Sequence, residues 1–224
     1  MKMLGRFIRA NWKWLICVIA LLIFFLIFKA VNENDVLGID QSIADFVLSI
    51  RSNLLTLFFK FITMLCDVFF IAFIILFIMF FVKDFRFKKY LCANILIIVA
   101  TNNVIKFIVS RDRPLGEHLV HATGFSFPSG HSMTAMAMYG LFICFAYKYM
   151  KNDVKKHIVI ISLSMLIVLI GISRIYLGVH HTSDVLAGFS ISLAYLIVYV
   201  HLMESRLVKK MKMAGKIEKI VEEN

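Results

Sequence analysis

Residues 157–203 read HIVIISLSMLIVLIGISRIYLGVHHTSDVLAGFSISLAYLIVYVHLM. Two long apolar runs, His157–Tyr176 and Val185–Met203, flank a short polar junction that carries Ser173, Arg174, His180, His181 and Asp184. Each run approaches the roughly 20 residues that cross about 30 Å of hydrocarbon at a 1.5 Å rise. Ionisable groups gathered where two such runs meet are expensive to keep, and they mark a functional site.

Four more apolar runs lie upstream: Trp14–Val31, Leu54–Val82, Tyr90–Val109 and His131–Tyr149. The run Leu54–Val82 would be about 43 Å long as one helix, so its first turns, Leu54 to Phe61, are expected to lie along the interface or to tilt strongly. With 61% hydrophobic residues and only two prolines and ten glycines in 224 residues, the chain does not describe a soluble domain. The expected fold is all-α: a polytopic membrane protein built as a six-transmembrane-helix bundle, with one domain over residues 1–224. The amino terminus has the basic start and apolar stretch of a secretion signal. However, Lys29-Ala30-Val31-Asn32-Glu33 follows where a small-x-small cleavage pattern would stand, so a retained first helix is expected.

Charge sets the expected orientation. Basic residues fall before the first run, in Lys83–Lys89, in Lys148–Lys156 and after Met203, and these four places hold 18 of the 25 lysines and arginines. The intervening connections hold the acids Glu33, Asp35, Asp40 and Asp45, or the polar motifs. By the positive-inside rule both termini are cytoplasmic, and the site faces outward at the extracytoplasmic helix ends. The net charge of +11 is then mostly topology. Spread over four connections without an aromatic stacking platform, it excludes nucleic acid as a partner. The tail Arg206–Lys219 is either a surface segment on anionic lipid or a solvated tail. Cys17, Cys66, Cys92 and Cys144 sit in or beside apolar runs at unrelated spacings, which suits small core residues better than disulfides or metal ligands.

Three polar segments fall at the outer ends of the runs. Lys106 closes the third run, and Arg111 and Arg113-Pro114 follow it. Pro128-Ser129-Gly130-His131 opens the fourth, and Arg174 closes the fifth ahead of His180 and Asp184. Ser129 suits a helix cap and Gly130 lets a ligand approach the backbone. The free N–H groups at that helix start favour an anion. Fixed cations around it would stabilise the charge of a phosphoryl transition state.

Each residue also has a plainer reading. Lys106 and Arg174 could snorkel, Arg111 and Arg113 could be loop charges, and Asp184 could be a simple cap. His118, His121, His157 and His201 are read as structural. Asp67, the only acid in the second run, either reaches the site or makes a helix–helix hydrogen bond.

The segments Lys106-x6-Arg113-Pro114, Pro128-Ser129-Gly130-His131 and Ser173-Arg174-x5-His180-x3-Asp184 resemble the three-part signature of the type 2 phosphatidic acid phosphatase superfamily at every defining position. The resemblance implies His180 as a nucleophile that forms a phosphohistidine, with Asp184 orienting it. His131 would serve as general acid and then general base. Lys106, Arg113, Ser129, Gly130, His131 and Arg174 would bind phosphate. No metal and no cofactor are expected, because no ligand cluster remains to hold one. The implied partner is a membrane lipid phosphate or diphosphate in the bilayer. Undecaprenyl diphosphate is the first choice, with phosphatidylglycerophosphate or phosphatidic acid as the alternative. The sequence sets no oligomeric state. An anion transporter or channel is the competing class; it should break its helices at the midplane, whereas here the polar groups collect at one end.

Overall fold

The structure, a computed structural model, describes the backbone of residues 2–34 and 36–213 and the side chains of residues 11–33 and 36–205. The side chains of Lys2, Arg6, Arg9 and Asp35 and of the tail Arg206–Lys219, which enter the charge argument above, lie outside the described residues.

All regular structure among the described residues is helical: α1 Lys2–Asn34, α2 Gly38–Ser49, α3 Asn53–Met64, α4 Val68–Phe81, α5 Phe85–Val109, α6 Gly130–Tyr149, α7 Val154–Tyr176 and α8 Thr182–Met213. Four helical segments are long and apolar enough to cross a membrane: Asn11–Glu33, Phe85–Val109, Val154–Tyr176 and Thr182–Ser205. The pair α3 and α4, bent by 45°, makes a fifth if it is counted as one broken span. The protein is therefore a multi-pass membrane protein.

The helix α6 fails the same test for a physical reason. It lies between α5, α7 and α8 and buries Ser132, Met133, Thr134, Ala135, Ala137, Met138, Tyr139, Gly140 and Leu141. A helix enclosed by protein needs small residues for close approach more than it needs lipid-facing bulk. A β-carbon at Gly140 would meet the Leu196 side chain at 2.6 Å, and one at Gly188 would meet the Ser129 carbonyl at 3.0 Å.

The long second run breaks later than its length suggested. Helix α3 continues to Met64, and the chain turns at Leu65–Asp67. Tyr139 Oη donates to the Leu65 carbonyl at that turn, and Cys66 Sγ donates to the His131 carbonyl at 3.4 Å. Backbone freed by a break at membrane depth needs such partners. Helix α2 was not anticipated; its segment read only as an acidic connection. It lies across the end of the bundle that gathers the polar motifs, touching α7 and α8.

Candidate active site

Five parts of the chain deliver the polar residues to one end of the bundle. Helix α5 ends at Val109, capped by Ser110 in the left-handed region at φ 51°. The loop that follows carries Arg111 and Arg113. Ser129 caps α6: its Oγ accepts from Ser132 N at 3.4 Å and from Ser132 Oγ at 3.0 Å. The Ser129 N–H donates to the Asp184 carbonyl at 3.1 Å, which stitches the start of α6 to the start of α8. Asn102 on α5 donates to the Pro128 carbonyl at 3.0 Å. Its Oδ1 would lie 3.0 Å from any β-carbon at position 130, so glycine is what fits there.

His180 sits between α7 and α8 and is 4% exposed. Its Nδ1 lies 3.5 Å from Asp184 Oδ2 and 3.4 Å from Ser126 Oγ, while its Nε2 lies 3.4 Å from Arg113 Nη1. A guanidinium can only donate, so the partners assign the proton to Nδ1 and leave a lone pair on Nε2. Burial pushes the imidazole well below its ordinary range, to about 3, although Asp184 pulls the other way. His180 is therefore neutral at physiological pH, the state a nucleophile requires. Burial also lowers Arg113 from its ordinary value, with Asp184 opposing the shift; a guanidinium remains charged regardless.

Lys106 Nζ donates to the Phe125 carbonyl at 2.6 Å. Arg113 donates to the carbonyls of Gly124 at 3.0 Å, Thr123 at 2.8 Å and Val179 at 2.7 Å. Arg174, 5% exposed, donates to Thr63 Oγ1, and its Nε has no partner among the described residues. Carbonyls and a hydroxyl hold these three cations in place without cancelling their charge, which leaves the charge available to an anion.

A second histidine–carboxylate pair stands beside the first. His131 Nε2 lies 2.8 Å from Asp67 Oδ1, and both side chains are partly exposed. Asp67 therefore bonds to a motif residue, the contact that the first of its two readings requires. The break between α3 and α4 places the carboxylate there.

The network behind Asp184 was missed at the sequence level. Arg111 is 3% exposed and forks between two acids: Nη1 donates to Asp184 Oδ1 at 2.6 Å and Nη2 to Asp40 Oδ2 at 2.9 Å. Asp40, on α2, accepts from Ser183 N and Ser183 Oγ, both at 2.7 Å. Ser126 also donates to Asp184. Arg111 is thus no ordinary loop charge, and Asp40 is no solvated loop acid. The available signal was weak: an aspartate three residues after Leu37 and an arginine two before Arg113 carry no distinctive spacing. Three of the four histidines read as structural make contacts outside the two histidine–carboxylate pairs. His118 bonds the Pro114 carbonyl at 2.8 Å, His157 bonds the Asp153 carbonyl at 2.8 Å, and His201 packs edge-on against Trp14 at 5.1 Å. Among the described residues no group of three or more His, Cys, Asp or Glu is placed to hold a metal ion.

Residues 87–207 match the model of the PAP2 superfamily. The chain belongs to the PAP2 superfamily. It is 38% identical over 184 residues to phosphatidylglycerophosphatase B of Bacillus subtilis (strain 168), across 78% of this chain and 89% of that one. Its fold matches the crystal structure of a transmembrane PAP2-type phosphatidylglycerolphosphate phosphatase from Bacillus subtilis. That match has a TM-score of 0.77 at 34% identity and covers 84% of this chain and 96% of the other. The crystal structure of Aquifex aeolicus LpxE shares the fold at a TM-score of 0.56 and 23% identity, over 72% of this chain and 96% of that one. The chain is accordingly a membrane-embedded hydrolase of the lipid phosphatase class, and its substrate is a lipid in the bilayer.

Proposed function

We infer that this lipid phosphatase removes the terminal phosphate of phosphatidylglycerophosphate in two steps through a phosphohistidine. The observation that carries the mechanism is the lone pair of His180 Nε2 beside Arg113 Nη1, with the opposite ring nitrogen turned to Asp184 and Ser126. In the first step Nε2 attacks phosphorus and the phosphorus–oxygen bond to the glycerol breaks. Protonated His131 gives its proton to the leaving oxygen, and Asp184 faces the positive charge that develops on the His180 ring. In the second step His131 takes a proton from water as that water attacks phosphorus. The phosphorus–nitrogen bond breaks, and inorganic phosphate leaves with His180 neutral again.

Lys106, Arg113 and Arg174 hold the non-bridging oxygens, together with the N–H group of Gly130 at the start of α6; Ser129, whose own N–H is taken by the Asp184 carbonyl, serves by capping that helix. Asp67 keeps His131 oriented through its hydrogen bond to Nε2. The step needs no metal ion. The choice of lipid rests on the 38% identical relative and on the solved neighbour. Undecaprenyl diphosphate, the first choice from sequence, falls to second place because nothing in those relatives speaks for it.

The architecture that goes with this reading is six spans, formed by α1, the broken pair α3/α4, α5, α6, α7 and α8, in one domain over residues 1–224. Both termini would be cytoplasmic and the site outward-facing, as the basic connections favour. The decisive assay is turnover of purified protein on phosphatidylglycerophosphate, phosphatidic acid, undecaprenyl diphosphate and a water-soluble phosphomonoester, with excess EDTA present. Phosphatidylglycerophosphate should give the highest kcat/KM. A higher value for undecaprenyl diphosphate would overturn the substrate assignment, and loss of all activity in EDTA, restored by Mg²⁺, would overturn the metal-free mechanism.

A further inference from the structure

A second feature lies at the opposite pole of the bundle. A cavity of about 490 Å³ opens between α1, α6, α7 and α8, with apolar walls that include Ile143, Ile160, Val200 and Met203. Val200 and Glu204 stand about 24–30 Å along α8 from Asp184, so this cavity is separate from the catalytic cluster. Its size is that of a small-molecule site, and its walls suit a hydrocarbon chain.

The rim is polar and mostly cationic. Lys13, Lys148 and Glu204 line it, with Tyr147 between them. Lys148 Nζ meets Glu204 Oε1 at 2.7 Å, so that pair is neutral as a whole. Two cations remain. Lys13 Nζ stands 5.9 Å over the Trp12 ring, and Lys156 Nζ stands 4.6 Å over the Tyr147 ring. Lys156 is only 9% exposed, and among the described residues neither ammonium pairs with a carboxylate. A nearly buried lysine with an aromatic face as its contact, beside an apolar slot, is a receptor for an anion carrying a hydrocarbon tail.

We propose that this groove holds one anionic phospholipid, its acyl chain against α6 and α8 and its phosphate at Lys13 and Lys156. A zwitterionic phospholipid would bring its own ammonium against the two lysines, which costs the attraction that selects the ligand. The chain's own tail, Arg206–Lys219, carries an excess of basic residues and is the wrong sign for this rim. The inference stands apart from the choice of substrate, because it concerns the pole away from His180.

The test uses the full-length protein reconstituted in bilayers of phosphatidylcholine with equal amounts of phosphatidylglycerol and phosphatidylethanolamine. Lipid retained after transfer to mild detergent is then read by native mass spectrometry. One phosphatidylglycerol should be retained in preference to phosphatidylethanolamine. Lys13→Gln and Lys156→Gln should each lower that retention about fivefold. Val200→Trp fills the slot without changing any charge and should displace the lipid even if a lysine variant fails to fold. Arg113→Gln, at the catalytic pole, should leave retention unchanged. Equal retention of the two lipids would overturn the proposal. So would retention that survives Val200→Trp, or retention lost in Arg113→Gln but kept in the lysine variants.

Discussion

Replacing Arg111 by glutamine tests whether the Asp184 carboxylate is held from behind. Arg111 is 3% exposed and is shared between Asp40 at 2.9 Å and Asp184 at 2.6 Å. Removing it leaves two buried carboxylates facing each other with their common cation gone. Breaking a buried pair in this way costs about 3–5 kcal/mol. For a chain of this size that corresponds to a melting temperature lower by roughly 6–20 °C. Arg111→Lys should recover only part of the loss, because a compact ammonium lacks the rigid two-pronged reach by which the guanidinium's two terminal nitrogens meet separate acids. Adding Asp40→Asn to Arg111→Gln should relieve part of the repulsion, with a coupling of about 0.5–3 kcal/mol between the sites. Cys17 and Cys66 are buried free thiols, so the rise of a thiol-reactive dye's signal above the folded baseline set by the half-buried Cys92 and Cys144 reports unfolding during a thermal ramp. Turnover measured below the transition separates loss of fold from loss of geometry at Asp184, and it should fall even in folded protein. An Arg111→Gln protein that melts within about 2 °C of the parent and turns over normally would refute the reasoning.

His180→Ala should abolish phosphate release and His131→Ala should reduce it by orders of magnitude, with the double variant no worse than His180→Ala alone; near-normal turnover in His180→Ala would end the covalent mechanism. Because burial takes His180 down to about 3, its reactive neutral form is complete throughout pH 5–8. The rate of enzyme phosphorylation, corrected for substrate ionisation, should therefore show no acid limb near 6.5; such a limb would mean that His180 titrates like a free imidazole. Asp67→Asn should fold at normal yield yet lose about ten- to a hundredfold in turnover, with Asp67→Glu recovering part of it; unchanged turnover in well-folded Asp67→Asn would remove Asp67 from the mechanism. A reporter fused after Asn224 should be active only in its cytoplasmic form, and activity of its exported form would reverse the assigned orientation.

The spacing of Lys106, Arg113, Ser129, His131, Arg174, His180 and Asp184 was legible because each lies at the end of a run whose length the bilayer dictates. Knowing where a run ends places its polar terminus with its neighbours. The residues that escaped notice depend on contacts no period encodes. Asp40 reaches Ser183 across 143 residues, and Arg111 meets Asp184 across 73. Helix α2 escaped because a short, partly polar segment between two spans carries neither a bilayer-length run nor a strong repeat. The α3/α4 break was half legible. Excess length demanded a deviation, but its position at Leu65–Asp67 is fixed by Tyr139 and His131 on another helix. The central helix α6 shows the reverse effect: enclosure by protein lowers its hydropathy below what a lipid-facing span needs.

The tie between Asp40 and Ser183 also bears on how the protein is made. Asp40 is synthesised early, whereas Ser183 and Asp184 arrive only with α8. Until then Asp40 and Arg111 wait without the residues that complete their cluster, and His180 has no carboxylate at its back. On the proposed mechanism a partly inserted chain would not hydrolyse the lipids around it. Hydrolytic competence would then come in a single late event, when α8 docks and Ser183 closes a circuit to Asp40 across 143 residues.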